Sequence, residues 1–296
     1  MGKSRRRFNP LPFLIFIVGI GILLYPTASN YYNVKHQSSA IMEYTENIAA
    51  IDNEETNRLW QEAVEYNENL YMAQGGDELP EDVLKNYDDI LHVADNGMLG
   101  YIDIPKISAH LPIYHGTTEG VLQKGIGHLE WSSFPTGGQN VHTVLTGHTG
   151  MPSSRLFTDL EKLSVGDRFV LQIVGEKMIY EVESKNVVLP YEIESLAIQD
   201  GEDLCTLITC TPYGVNSHRL LVRAHRVGNE EVTKTDVKSM EDIAETSARM
   251  QMLKVAAIAA GCIIILFLIL LFTSKTRKKP EKAECVKEEN SGQHDI

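Results

Sequence analysis

The sequence predicts a mainly β fold, a closed or nearly closed barrel, with a helical segment before it and a membrane helix at each end. From Gly97 onward, short runs rich in β-branched and aromatic residues follow one another at fairly regular intervals, with Gly and Pro between them. Few helical patterns interrupt these runs, and many short strands with few helices are typical of a barrel. The third observation is a long apolar run near each terminus.

The two apolar runs cover residues 11–25 and 255–272. Basic residues lie on the outer flank of each run, which by the positive-inside rule places both termini in the cytoplasm and the middle of the chain outside the membrane. The second run is 18 residues without a charge, and as a helix it spans about 27 Å. The first run is shorter, and the small residues near Ala28 leave open whether it is a retained anchor or a cleaved signal.

Composition narrows the possible partners. The chain has 40 acidic and 27 basic residues, a formal net charge of −13, and a nucleic-acid-binding surface would need a basic excess. No nucleic acid is therefore expected as a partner. The predicted segments are a basic cytoplasmic N-terminus (1–10), an anchor or signal (11–28), a helical extension with a loop (29–96), the barrel (97–228), a linker (229–254), a membrane helix (255–272) and a charged cytoplasmic tail (273–296).

Helices are expected in two places. Between residues 41 and 72, apolar residues recur at helical spacing, and Asp52 or Asn53 is where this pattern could break into two helices. Within the barrel region, the stretch "SSRLFTDLEKLSVGD" predicts a short helix that begins at Ser153 or Ser154 and ends before Gly166.

The four cysteines do not suggest a disulfide. Two of them lie in the second apolar run and in the tail, while Cys205 and Cys210 are five residues apart on one predicted strand. That separation is about 16 Å, too long for a disulfide, and the two side chains point to opposite faces. Cys210 lies in "TLITCTPYG", at a strand end, where a thiol is either a small buried hydrophobe or an exposed nucleophile.

Two further residues are placed where a thiol enzyme needs them. Arg219 begins the strand after Cys210, and His148 lies in "TGHTG", at another strand end. A nearby cation or histidine activates a thiolate, a histidine can protonate a leaving amine, and an arginine can stabilise an oxyanion. Spacing alone leaves structural interpretations open: a buried thiol, a structural histidine, and an outward row of cations that includes Arg219.

These stretches resemble the sortases, the membrane-bound cysteine transpeptidases of Gram-positive bacteria. The likeness rests on "TLITC" with an arginine nine residues after its cysteine, on the upstream "TGH", and on longer stretches such as "GYIDIPKI", "VLQKGIGHLE" and "RLFTDLEKL". It covers about residues 97–228. Within the family, the likeness is to class C, the sortases that polymerise pilins. An N-terminal helical extension and a second, C-terminal membrane helix are also expected in that class.

The resemblance implies an eight-stranded sortase barrel with Cys210 as the nucleophile, His148 as the acid and base, and Arg219 as the positive partner. Cys210 would attack the Thr–Gly carbonyl of an LPXTG-type sorting signal. The thioacyl-enzyme would then be resolved by a lysine amine of another pilin subunit. The expected partners are therefore pilin subunits and the cell membrane, with the catalytic domain extracellular.

Three further residues are expected near the substrate: Thr209 and Thr211, through backbone N–H groups at the oxyanion, and Tyr213, through its side chain. No cofactor or metal is expected, because the acidic runs at 52–55 and 77–82 lack the spaced glycine of a calcium loop.

Class C sortases commonly carry a lid before the barrel with an Asp-Pro-aromatic motif. The corresponding loop here reads "AQGGDELPED", in which Asp77 is followed by neither the Pro nor the aromatic residue. We therefore expect an open or weakly covered site, the alternative being that "VLKNYDDIL" (83–91) covers it.

Three other functions have less support in the sequence. A housekeeping sortase would attach proteins to peptidoglycan, and the second membrane run and helical extension argue against it. A non-catalytic scaffold with the same fold would not need Cys210. An anchored substrate is opposed by the absence of any LPXTG-like sequence before residue 255.

Overall fold

The computed structural model describes residues 11–74, 85–93, 96–227, 246–247 and 249–265. Two helices precede the strands, α1 (Leu11–Ala50) and α2 (Asn53–Ala73). The break between them is at Asp52, whose carboxylate accepts a hydrogen bond from the backbone N–H of Glu55 at 2.9 Å. A carboxylate at this position satisfies an N–H that has no partner within the helix, so the predicted break is confirmed.

Eight strands form a closed barrel, as predicted, in the order β1-β2-β3-β4-β7-β8-β6-β5. They are β1 (Met98–Ile104), β2 (Ala109–His115), β3 (Ile126–His128), β4 (Val141–Thr146), β5 (Arg168–Ile173), β6 (Glu176–Val188), β7 (Asp203–Thr211) and β8 (His218–Val227). A short helix, α3 (Glu119–Leu122), connects the parallel pair β2 and β3. Strands β4 and β7 are also parallel neighbours, whereas β7 and β8 are antiparallel.

The two faces of β7 have different surroundings. Cys205 and Leu207 belong to the main apolar core, while Ile208, between Leu207 and Thr209, packs with Val144 and Leu221 in a separate cluster. Successive strand side chains point to opposite faces. The even-numbered residues of β7 therefore face away from the barrel interior.

Helix α1 packs along the outside of the barrel. Its residues Ile41 and Tyr44 are buried against apolar side chains of β1 and β2. Nearer its N-terminus, Asn33 Nδ2 donates to the backbone oxygen of Ser153 at 2.7 Å, and Asn30 Oδ1 accepts from the backbone N–H of Arg155 at 2.9 Å. The helix thus fixes the segment that follows the His148 turn.

The predicted helix over 153–165 is wrong in type and extent. The structure has only a three-residue 3₁₀ helix, Leu160–Lys162. Leu156 has a φ of +36°, a left-handed conformation that an α-helix cannot include. The backbone N–H of Phe157 instead donates to the His148 oxygen at 3.1 Å, so a tertiary contact has replaced the local helical bond.

The membrane prediction is supported for one of the two runs. Among the described residues, α1 is the one helix long and apolar enough to cross a membrane, and side chains such as Ile15 and Ile22 are exposed on it. Residues 249–265 are helical, but the rest of the run 255–272 lies outside the described residues. Two flanking membrane helices therefore stay a prediction, as do the segment boundaries at 1–10, 229–254 and 273–296.

Candidate active site

Strand pairing places Cys210 beside Arg219. The register of β7 and β8 sets Cys210 opposite Arg219, two residues beyond the pair Ile208 and Leu221. Directly opposed residues on antiparallel strands share a face and have Cβ atoms about 5 Å apart. Both side chains therefore lie on the outer face, next to the cluster that contains Ile208 and Leu221. Cys210 is partly exposed and Cys205 is fully buried.

The turn that carries His148 is tied to the same end of β7. In the parallel pair β4 and β7, Thr146 lies opposite Ile208. The next residue, Gly147, donates from its N–H to the Ile208 oxygen at 3.0 Å, and its own oxygen accepts from Thr209 Oγ1 at 2.7 Å. His148 follows directly, at the level of Cys210. The three residues predicted to be catalytic are thus brought to one end of β4, β7 and β8.

The guanidinium of Arg219 is held by backbone oxygens. Its Nη1 donates to the oxygens of His218 at 3.1 Å and Asn216 at 3.3 Å. No carboxylate of the described residues lies within ion-pair distance of it, whereas Arg223, farther along the same face, pairs with Glu183 at 2.5 Å. A guanidinium has five N–H donors, so Arg219 keeps both its charge and donors available for a substrate oxygen.

His148 has an acidic neighbour that the sequence did not indicate. Glu119, the first residue of α3, places Oε2 3.6 Å from His148 Nε2. That nitrogen is buried and has no hydrogen-bond partner among the described residues. Glu119 is 70% exposed, so solvent weakens the interaction between its carboxylate and the ring. Only a lone acid in "GTTEGVL" marked the residue in the sequence.

The residues expected to contact substrate differ in exposure. Thr209 is buried, and its hydroxyl donates to the Gly147 oxygen. Only its backbone N–H would therefore be free to donate to an oxyanion. Thr211 lies opposite His218 at the end of the strand pair. The Tyr213 side chain is 67% exposed and lies against Gly150, where an added Cβ would be 3.1 Å from the ring. Substrate contact by these three residues stays a prediction.

Two other buried histidines have structural partners. His142 bonds to the Ala197 oxygen and to Thr206 Oγ1, and burial lowers its pKa. His128 is fully buried, bonds to the Ser133 oxygen, and has a pKa lowered to about 3 by burial. These rings are neutral at physiological pH, as expected of structural histidines.

The predicted lid region is only partly described. Asp77 and residues 75–84 lie outside the described residues. In the following segment, Tyr87 is buried, with its hydroxyl 2.9 Å from His128 Nδ1, and Ile90 accepts from His115 Nε2 at 2.7 Å. These histidines lie at the C-terminal ends of β3 and β2, whereas the His148 turn lies beside the N-terminal end of β3. Among described residues, no hydrogen bond or ion pair joins 85–93 to the three predicted catalytic residues, so an open site stays the prediction.

In the described ranges, no three His, Cys, Asp or Glu side chains are grouped as metal ligands would be.

Comparison with known proteins agrees with this geometry. A family model described as "Sortase domain" matches residues 102–227. The chain is 32% identical over 114 residues to sortase D of Bacillus subtilis, a match that covers 38% of this chain and about half, 54%, of that curated relative.

Solved structures show the same similarity. Sortase C1 of Streptococcus agalactiae is 45% identical with a TM-score of 0.62, and the match covers 65% of this chain and 100% of that one. Sortase C of Clostridium perfringens, solved with the C-terminal cell wall sorting motif, is 43% identical with a TM-score of 0.58 (65% and 100% covered). Sortase C of Streptococcus pneumoniae, whose description concerns pilin substrate specificity, is 39% identical with a TM-score of 0.58 (64% and 97% covered).

Two threonines of neighbouring strands make a matched test of the bond that ties the His148 turn to β7. Thr209 Oγ1 bonds to the Gly147 oxygen, whereas Thr143 Oγ1 is equally buried but has no partner among the described residues. Each threonine is replaced by valine, which has the same shape. We expect Thr209→Val to lower the free energy of unfolding by about 1–2 kcal/mol, because the Gly147 oxygen loses its hydrogen-bond donor. We also expect it to slow peptide cleavage. Thr143→Val should change neither the free energy of unfolding nor the rate of peptide cleavage. Denaturant unfolding and peptide cleavage measure both; equal effects of the two substitutions would contradict the assignment.

Glu119→Gln tests the acidic neighbour of His148. Because the pair is largely exposed, we expect the rate of LPXTG-type peptide cleavage to fall about twofold to fivefold, with unchanged unfolding. Glu202→Gln, an exposed acid at the opposite end of β7, is the control. A rate for Glu119→Gln no lower than that of the control would remove Glu119 from the site.

Proposed function

Because this chain belongs to the sortase family of cysteine transpeptidases, we propose that it is a membrane-anchored enzyme of class C that polymerises pilin subunits. It cleaves an LPXTG-type sorting signal between Thr and Gly and joins the threonine carbonyl to a lysine amine of another subunit. The observation that carries this proposal is the strand register that sets Cys210 opposite Arg219, with the His148 turn bonded to the same strand end.

In the first half of the reaction, the Cys210 thiolate attacks the carbonyl carbon of the threonine. The oxygen of that carbonyl gains negative charge, which the Arg219 guanidinium stabilises. His148, as an imidazolium, gives its proton to the glycine nitrogen as the Thr–Gly bond breaks. The products are a thioester on Cys210, a free C-terminal peptide amine and a neutral imidazole.

In the second half, a lysine amine attacks the thioester carbonyl. His148 accepts a proton from the attacking nitrogen, Cys210 leaves as a thiolate, and an amide bond to the lysine side chain forms. The thioester keeps much of its reactivity toward amines, so the energy of the cleaved peptide bond is carried into the new bond. The enzyme returns to its starting protonation without a cofactor.

The connections that leave β6 and β7 at the end where Arg219 and Cys210 pair carry exposed apolar side chains, which suit the apolar part of such a signal. Tyr191 and Ile193, in the connection between β6 and β7, are 73% and 51% exposed, and Tyr213 and Val215 in the turn between β7 and β8 are 67% and 70% exposed. Nearby, Leu196 packs on Ile208, two residues before Cys210. We propose that the signal binds between these two connections, with its threonine at Cys210.

The class and the anchoring rest on separate observations. The class C structural neighbours, one described in terms of pilin substrate specificity and another solved with a sorting motif, support a pilin substrate for this chain. The exposed apolar part of α1 supports anchoring in the membrane with the barrel outside. The predicted C-terminal span would add a second anchor.

Two cysteines on one strand test the nucleophile. We expect the chain, mixed with an LPXTG-type peptide, to gain the mass of the peptide portion that ends in Thr. Cys210→Ala should abolish this adduct and peptide cleavage, whereas Cys205→Ala, at a fully buried position of the same strand, should keep both. Intact-mass spectrometry measures the adduct. An adduct on folded Cys210→Ala would assign the thiol chemistry to another residue. If the unmodified chain and Cys205→Ala also fail to cleave the peptide, the scaffold alternative is favoured.

The acceptor separates pilin polymerisation from attachment to the cell wall. Once the thioester has formed, we expect a lysine-bearing pilin domain to discharge it faster than a peptidoglycan stem-peptide amine at equal concentration. Quenched samples analysed by mass spectrometry give both rates. Faster discharge by the stem peptide would support the housekeeping alternative while leaving the Cys210 chemistry in place.

A further inference from the structure

The connection between β2 and β3 meets the His148 turn on one side of the proposed site. Strand β3 runs antiparallel to β4, so its first residues lie beside the end of β4, where the His148 turn begins. A Cβ added at Gly147 would be 2.7 Å from Ile126 Cδ1, the first residue of β3. Helix α3 precedes β3 and therefore lies at this end of the barrel. The reaction as proposed above uses no group from α3.

Helix α3 presents the carboxylate of Glu119 to the His148 ring. One oxygen, Oε2, lies 3.6 Å from His148 Nε2, and the other, Oε1, accepts a hydrogen bond from Gln123 Nε2 at 3.0 Å. In the described part of the chain, the contact with His148 is the one ion-pair contact that this carboxylate makes. Glu119 therefore combines a position beside the proposed acid and base with a negative charge that no lysine or arginine of the described ranges neutralises and that is open to solvent.

The two sides of Cys210 carry opposite charges. Arg219 lies on β8, on the side of β7 that is away from β4, whereas Glu119 lies on the β4 side. The guanidinium repels a second cation and the carboxylate attracts one. Two other exposed acids, Glu192 and Glu194, follow the end of β6, but they lie in the connection where the sorting signal is proposed to bind. Once the signal is attached to Cys210, α3 is the acidic side that is left open.

The second half of the proposed reaction needs to capture a cation. The ordinary pKa of a lysine side chain is about 10.4, so at neutral pH nearly every acceptor lysine is an ammonium. An exposed carboxylate attracts an ammonium, although solvent and salt weaken the attraction. An ammonium held by Glu119 is also next to His148, the group proposed to take a proton from the attacking nitrogen.

We propose that Glu119 receives the ammonium of the acceptor lysine and so determines that the thioester reacts with a cationic amine approaching from the α3 side. The bound ammonium gives one proton to water. The resulting amine attacks the thioester carbonyl, the C–N bond forms as the C–S bond breaks, Cys210 leaves as a thiolate, and the second proton passes to His148. This role rests on the proposed function and assigns the acceptor side of the same site.

The test compares a charged nucleophile with an uncharged one on the full chain. The Cys210 thioester is formed with an LPXTG-type peptide, free peptide is removed, and the thioester is discharged either by Nα-acetyl-lysine amide or by hydroxylamine, which is uncharged at neutral pH. Intact-mass spectrometry of quenched samples gives both rates. For Glu119→Gln we expect discharge by the lysine amide to be about threefold to fivefold slower, the upper range for an exposed ion pair. Discharge by hydroxylamine should not change.

Salt and two further variants sharpen the comparison. Because the attraction is between exposed charges, added salt should slow discharge by the lysine amide in the unmodified chain and remove its difference from Glu119→Gln. Glu119→Arg reverses the charge and should slow this discharge further, about tenfold or more relative to the unmodified chain. Glu202→Gln removes the same charge at the opposite end of β7, and it should behave as the unmodified chain with both nucleophiles.

Three results would overturn the role of Glu119. An equal loss with both nucleophiles in Glu119→Gln would show that the carboxylate acts through His148 and not on the acceptor. An unchanged rate with the lysine amide would show that it does not act on the acceptor at all. If the unmodified chain forms no Cys210 thioester, the proposed function fails and this role fails with it, whereas a thioester that forms and is discharged alike in both chains refutes the role of Glu119 alone.

Discussion

The pairing of β7 with two different neighbours is the constraint on which the site depends. The parallel pair with β4 sets the level of the His148 turn, and the antiparallel pair with β8 sets Arg219 opposite Cys210. A slip of one residue in either register would turn the side chains to the other face. The bond from Thr209 to the Gly147 oxygen fixes the first of these registers at the point where β4 ends. The groups proposed to react thus come from strand ends, which suits a reaction that requires close positioning.

The alternation of side chains between the two faces of β7 explains why Cys205 and Cys210 differ in burial. Cys205 faces the main core and is fully buried, which raises its pKa and keeps it a neutral thiol. Cys210, five residues on, faces outward and is partly exposed beside an arginine. Residue type does not distinguish the two thiols, whereas their positions on the strand do.

Much of this arrangement could be predicted from the sequence, because it depends on local patterns and specific motifs. The β-rich runs predicted the barrel, Asp52 marked the helix break, and the motifs around Cys210, His148 and Arg219 identified residues that the strand register then placed together. The failures were non-local. The helix expected after Ser153 was replaced by a contact between Phe157 and His148, and the pairing of Glu119 with His148 joins residues 29 positions apart.

The most direct test of the central claim is a crystal structure of the chain trapped on a sorting-signal peptide that carries an electrophile at the scissile bond. The account predicts a covalent bond from Cys210 Sγ, the Arg219 guanidinium within hydrogen-bond distance of the threonine oxygen, and the His148 ring beside the leaving-group position. A threonine oxygen held by other donors, with Arg219 directed away from it, would contradict the account.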